Sequence, residues 1–228
     1  MEMDFKKLMI HTDRIVTRSL HKAFYSTLGR LNHFSSYSPD IHIIGDSEKV
    51  MKETIAEYRR NRDGELTFLE IGARDAKQRH FSEGFTYFAI DILPKSECVI
   101  VGDICHCPEI EDNSFDITFS MDVLEHVDNP FDAAKECIRI TKPGGLLVHR
   151  TLFSYRYHPS PNDYWRFTSQ GLEKLFVSSG NVETVLKGYD IRDRRRNRKG
   201  KGITSRPPID WMGGFRENWL VLWIGRVV

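Results

Sequence analysis

The sequence predicts an α/β fold: one doubly wound sheet, mostly parallel, with helices on both faces and further helices ahead of it. Three observations carry this. From Leu66 onward, short and nearly continuous apolar runs alternate with helical or turn signals, the pattern of strands buried on both faces. The stretch Leu66 to Asp91 (LTFLEIGARDAKQRHFSEGFTYFAID) reads as strand, glycine turn, short helix and second strand, half of a nucleotide-binding βαβ unit. At 228 residues the chain suits one well-filled core with appendages. Within that unit, Gly72 lets backbone pass close to a ligand at the mouth of the first strand. Asp91, nineteen residues on, stands near the spacing at which a carboxylate accepts ribose hydroxyls. A nucleoside-containing cofactor follows.

Taken in order, residues 1–45 form a helical arm. Val16, Leu20, Phe24, Leu28 and Leu31 recur at helical spacing, so an amphipathic helix is expected from about Thr12 to His33, available for capping the active site, for a homodimer or for covering the sheet. A turn-rich connection spans Phe34 to Pro39, and a helix from Ser47 to Asn61 leads into the sheet domain, residues 46–228. Strands are expected at Leu66 to Ile71, Thr86 to Ile90, Cys98 to Val101, Phe115 to Ser120 and Leu146 to His149. Helices are expected at about Ala76 to Ser82 and at Pro130 to Ile140. Pro143-Gly144-Gly145 is read as ending a helix and launching the next strand. Thr168 reads as the N-cap of a helix that buries Leu172, Leu175 and Phe176. Strands near Val182 to Tyr189 and Asn218 to Val227 close the chain, separated by a basic insertion over residues 190–216.

Composition narrows the partners. Lysine and arginine (33) nearly balance aspartate and glutamate (32), so no global field recruits nucleic acid or an anionic membrane. No apolar run approaches the ~20 residues of a membrane span, and MEMDFKK lacks the apolar block of a secretory signal. A cytoplasmic protein is expected. Four cysteines do not make a disulfide framework, and Cys98, Cys105 and Cys137 read as buried free thiols. Cys105-His106-Cys107 invites zinc, but no second ligand pair stands at zinc-site spacing.

FLEIGARDA, YFAID, VGDI, SFDITFSMDVLEHVDNP and ITKPGGLLV follow one another over about residues 48–180. In this order and spacing they resemble the successive motifs of class I S-adenosylmethionine-dependent methyltransferases, close to the type 11 group. The resemblance implies a Rossmann-like seven-stranded sheet with an antiparallel last strand, matched by Asn218 to Val227. It also implies S-adenosyl-L-methionine as cofactor and S-adenosyl-L-homocysteine as product. By it, Glu70 orients the methionine moiety, Gly72, Ala73 and Arg74 form the first loop, and Asp91 with Ile92 takes the ribose. Asp103 with Ile104 takes the adenine, and Ser120 and Met121 touch the cofactor. One departure stands out: the family often has glycine two and four positions after Gly72, where this chain has Arg74 and Ala76. A carboxylate at Glu70 suits a cation and repels a pyrophosphate, which disfavours a dinucleotide-linked oxidoreductase.

For the chemistry, His126 is a candidate base because an imidazole titrates near neutrality, and His158 and Asp163 compete with it. The run Asp122, Glu125, His126 resembles the E-x-x-E-H metal motif of one quinone-biosynthesis O-methyltransferase group, although Asp shortens its reach; no metal is otherwise expected. Tyr155, Tyr164, Trp165 and Arg166 lie in a proline-stiffened, aromatic stretch that reads as a substrate wall. Similar stretches occur in methyltransferases of glycan and small-metabolite pathways. The expected activity is therefore O-methylation of a small hydroxylated or sugar-linked acceptor. The alternatives are a non-catalytic binding protein, suggested by Arg74 and Ala76, and an RNA methyltransferase using the Arg192 to Lys201 run.

Overall fold

A computed structural model describes residues 42–193 and 218–228. The expected helix at Thr12 to His33, the turn-rich connection after it and most of the basic insertion lie outside these residues. Helix α1 (Ser47–Arg60) starts where Asp46 accepts hydrogen bonds from the amides of Glu48 and Lys49 at 3.0 and 3.2 Å, and it ends at Asn61. Its Met51, Ile55 and Tyr58, spaced by four and three residues, are buried against one face of the sheet.

Seven strands form that sheet: β1 (Thr67–Ile71), β2 (Thr86–Asp91), β3 (Ile100–Val101), β4 (Phe115–Met121), β5 (Thr141–Ser154), β6 (Val182–Asp193) and β7 (Asn218–Val227). Their order is β3-β2-β1-β4-β5-β7-β6. Neighbours pair in parallel from β3 to β5, while β7 runs antiparallel to both β5 and β6. Helices α2 (Pro130–Ile140) and α3 (Ser169–Val177) cover the face opposite α1. Side-chain alternation sorts β1 accordingly: Leu69 and Ile71 join the α2/α3 core, and Phe68 joins the α1 core. In β4 every residue from Phe115 to Ser120 is buried, the signature of a central strand covered on both sides.

Three local expectations are corrected. The helix placed at Ala76 to Ser82 is a run of turns with one 3₁₀ turn (Arg79–Phe81), because Ala76 sits at φ +56°, outside the right-handed helical region. The strand expected from Cys98 begins at Ile100. Pro143-Gly144-Gly145 does not separate α2 from its strand: α2 ends at Ile140, and Thr141 already pairs with Phe115. The proline and glycines form an irregularity inside β5, after which pairing resumes at Ile117 with Leu146. The other helix ends agree with the sequence, including Thr168, whose hydroxyl accepts the Gly171 amide at 2.9 Å.

Candidate active site

The chain winds from β1 outward to β3, then returns to β4 on the other side of β1. The carboxyl ends of β1 and β4 therefore diverge, which is where open α/β sheets bind ligands. A cleft of about 560 Å³ opens there. One wall comes from the loops after β1, β2 and β3, the other from the turn after β4 and from Ser160 to Tyr164.

Gly72 is required at the base of the first wall on two grounds. Its φ is +72°, and a Cβ there would stand 2.3 Å from Val123 Cγ2. Arg74 and Ala76, the two departures from glycine, sit at φ +45° and +56°. The loop thus keeps the left-handed turns that glycine makes easily, at a strain of about 1–2 kcal/mol per residue. The Arg74 guanidinium is turned toward the far wall, where its Nη1 donates to Ser160 Oγ at 3.0 Å. Asp91 ends β2 with its carboxylate aimed by two amides: Arg74 N donates to Oδ2 at 2.9 Å and Leu93 N to Oδ1 at 2.7 Å. A carboxylate oxygen accepts more than one hydrogen bond, so both keep capacity for a diol. Asp103 is fixed the same way by the Cys105 amide at 2.9 Å, beside buried Ile104. Gly72, Arg74, Asp91, Ile92, Asp103 and Ile104 all line the cleft.

Four other expected cofactor contacts do not reach the cleft. Glu70 is 2 % exposed and points to the α1 face, where it accepts the Tyr87 hydroxyl at 2.7 Å; burial pushes its carboxyl up to about 6. Ala73 is buried behind the loop with Ala89 and Val99. Ser120 is 1 % exposed and lies 2.8 Å from Nδ1 of His149, a core histidine that stacks on Phe176 and that burial lowers to about 3. Met121 packs toward α1. The cleft instead takes Asp122 and Val123, one residue further along the turn.

The second wall differs in kind. His126 lines the cleft, and its Nδ1 lies 2.5 Å from the carbonyl oxygen of Asn162. His158 stands beside it, with ring centroids 4.9 Å apart and the His158 Nδ1 3.1 Å from Asp163 Oδ2. Asp163 is not available as a base. Its side chain is fully buried, ion-paired with Arg166 and bonded to the His158 amide, and the guanidinium holds its carboxyl far below the usual range. Arg166 is likewise occupied: besides Asp163 it donates to the carbonyls of Tyr155, Arg156 and Trp165, so it braces the loop instead of facing an acceptor. Trp165 donates its indole N–H to Val127 O at 2.9 Å and does not line the cleft, Tyr155 packs edge-on to His158, and Tyr164 alone of the four expected wall residues borders the cavity.

Asp122 leaves the expected metal set. At φ +58° its carboxylate forms an ion pair with the nearly buried Arg150, which also reaches Glu48 at 3.2 Å. Glu125 stays, now with His158 as its neighbour. It is fully buried, Thr151 Oγ1 donates to its Oε2 at 2.7 Å, and Oε1 has no hydrogen-bond partner among the described residues. Burial, helped by the Asp122 charge, pushes its carboxyl up to about 7. Sequence reasoning also missed Asn162, whose carbonyl fixes a ring; only a backbone atom is involved, so residue type carries no signal. The zinc reading of Cys105 and Cys107 gains no support among the described residues. Their thiols contact Asn129 O and Glu136 separately, and Cys98 is exposed where a buried thiol was expected.

Residues 65–149 match the family model described as a methyltransferase domain. Among curated proteins, the ubiquinone biosynthesis O-methyltransferase of Neisseria meningitidis serogroup C is 34% identical over 108 residues, 43% of this chain and 44% of that protein. The enzyme of the same name from Maricaulis maris is 39% identical over 44 residues, 19% of this chain and 17% of that protein. The chain thus spans less than half the length of these curated relatives. Among solved structures, YcgJ of Bacillus subtilis superposes with a TM-score of 0.56 at 15% identity, covering 79% of this chain and 97% of that one. An S-adenosylmethionine-dependent methyltransferase of Mesorhizobium loti gives 0.54 at 13%, covering 80% and 98%. The match over residues 65–149, the sheet order and the superposed folds are consistent with an S-adenosylmethionine-dependent methyltransferase domain of the class I fold.

Proposed function

We propose that this domain methylates an oxygen atom of a small hydroxylated acceptor, a metabolite or a sugar-linked molecule. The observation that carries the reading is the division of one cleft into two chemically different walls. The first has a diol-binding carboxylate pre-aimed by two amides and a glycine whose bare Cα admits a close neighbour; these fit the adenosine half of the cofactor. The second ends in two imidazoles and a buried carboxylate, a polar terminus suited to a hydroxyl. Curated relatives named for O-methylation in ubiquinone biosynthesis support oxygen as the acceptor atom.

When bound, the cofactor supplies a methyl group on a positively charged sulfur. The protein's part is placement. Asp91 and Asp103 would hold the nucleoside end, with Ile104 lining the same part of the cleft, and Tyr164 borders the cleft on the other wall. His126 lines the cleft on this side, with its ring held by the Asn162 carbonyl. The left-handed geometry kept at Arg74 and Ala76 favours this reading over a non-catalytic one. Among the described residues no helix is long and apolar enough to cross a membrane, and with four free thiols this supports a cytoplasmic setting.

The experiment is calorimetric titration with S-adenosylhomocysteine. Asp91→Ala is expected to weaken binding by about 1.5–3 kcal/mol, the scale of hydrogen bonds to a charged group. Unchanged affinity in a folded variant removes Asp91 from the site. No binding to the parent protein overturns the enzyme reading.

A further inference from the structure

We propose that Glu125, His126 and His158 form a binding site for one divalent first-row transition ion at the acceptor end of the cleft. Among the described residues, their ligand atoms lie within 4.8 Å of one another. The argument rests on where protons sit. The Asn162 carbonyl only accepts, so His126 must donate from Nδ1. Asp163 is ionised against Arg166, so His158 donates from Nδ1 as well. In its neutral form each ring then presents a bare Nε2 lone pair. Both Nε2 atoms stand 3.9 Å from the same oxygen, Glu125 Oε1, which is buried and has no hydrogen-bond partner among the described residues.

With Glu125 ionised and both rings neutral, three acceptors converge with no donor between them, the state a bound cation selects. The 3.9 Å gaps are too long for hydrogen bonds, and a buried polar oxygen left this way is destabilising. A cation resolves the arrangement. A tetrahedral ion with bonds of about 2.0–2.1 Å spaces its ligand atoms about 3.3 Å apart, so the two 3.9 Å gaps close by about 0.6 Å and the third pair, within 4.8 Å, by at most about 1.5 Å. The surroundings match a metal's outer shell: each ring's second nitrogen is tied to a carbonyl or carboxylate, and Thr151 holds the other carboxylate oxygen. Two imidazoles and one carboxylate select zinc, manganese or iron(II) over magnesium or calcium, which favour all-oxygen shells. With three protein ligands, the remaining positions belong to water or to an oxygen of the acceptor. This set differs from the D-x-x-E-H reading, since Arg150 occupies Asp122 and the third ligand comes from a loop thirty-two residues after His126.

Metal binding stands apart from methyl transfer; only the ion's use, to seat the acceptor oxygen, rests on the proposed function. The test strips tag-free protein with a chelator, then titrates it with zinc or manganese by calorimetry and with cobalt(II) by visible absorption. One ion per chain is expected, with a cobalt spectrum showing nitrogen ligation. His158→Ala and, independently, His126→Gln are expected to weaken binding about tenfold or more while the metal-free proteins keep their melting temperatures. No stoichiometric binding to the parent, or parent-like affinity in both folded variants, overturns the site. S-adenosylhomocysteine titrated into the same samples separates the two proposals. Cofactor binding without metal binding removes the metal site alone, whereas metal binding without cofactor binding removes the methyltransferase reading alone.

Discussion

The two walls of the cleft reach rigidity by opposite means. The wall after β1, β2 and β3 is held by backbone: left-handed turns at Gly72, Arg74 and Ala76, and amides that aim Asp91 and Asp103. The wall from Tyr155 to Phe167 contains no strand or helix and is held by side chains, above all the buried Asp163 between Arg166 and His158. A backbone-built wall tolerates exchange of most side chains and fails when a φ angle is denied. A wall built from side chains fails when one charge is removed. The first suits a cofactor common to many enzymes, and the second leaves room for an acceptor particular to one.

The comparison breaks most readily at Gly72. Replacement by alanine meets both an unfavourable φ and a 2.3 Å clash with Val123, so a loss of about 3 kcal/mol or more is expected in chemical denaturation, together with loss of cofactor affinity. An effect below 1 kcal/mol would mean that Val123 moves aside freely. Next in size is Asp163→Asn, which leaves the partly buried Arg166 without its anion. A loss of about 2–3 kcal/mol is expected, with S-adenosylhomocysteine affinity held within about twofold. A parallel fall in cofactor affinity would show that the two walls are not independent.

Glu70→Gln sharpens the contrast through pH. The Glu70 carboxyl is raised in the folded state from 4.5 to about 6 by burial. Its contribution to stability is therefore fully present below pH 4.5 and is lost as pH rises through 6. The amide keeps an acceptor for Tyr87, so the variant is expected to be more stable by about 1–2 kcal/mol at pH 8 and unchanged at pH 4. Equal stability at pH 8 would show that water or a cation reaches the carboxylate. The smallest effect is expected from Ala76→Gly, which relieves a left-handed alanine and is expected to stabilise by about 0.5–1 kcal/mol. Destabilisation instead would mean that the Ala76 methyl packs better than its φ suggests.

Legibility followed the same division. The five motifs placed β1, β2, β4 and β5, and the spacing from Gly72 to Asp91 placed a carboxylate at the cleft, because both depend on local pattern and short sequence distance. Ser120 and Met121 failed by one residue: strand alternation sends them to the two cores, and the chain turns into the cleft only at Asp122. On the second wall the residue types were recognised but not their roles. Asp163 and Arg166 were read as base and substrate contact, yet they neutralise each other and brace the loop. Glu125 and His158, thirty-three positions apart, had no sequence signal linking them.

By itself, the sequence determined the α/β class and brought Gly72, Asp91 and Asp103 to the cleft at the carboxyl-terminal edge of the sheet. Each of these rests on periodicity or on turn chemistry within about twenty residues. Only the tertiary structure decided which carboxylates are occupied and which stay open. Arg150 on β5 closes Asp122, Arg166 closes Asp163, and the fold leaves Glu125 Oε1 facing two imidazoles. The reason is electrostatic: a buried charge is defined by its partner, and partners are chosen by folding across the sheet.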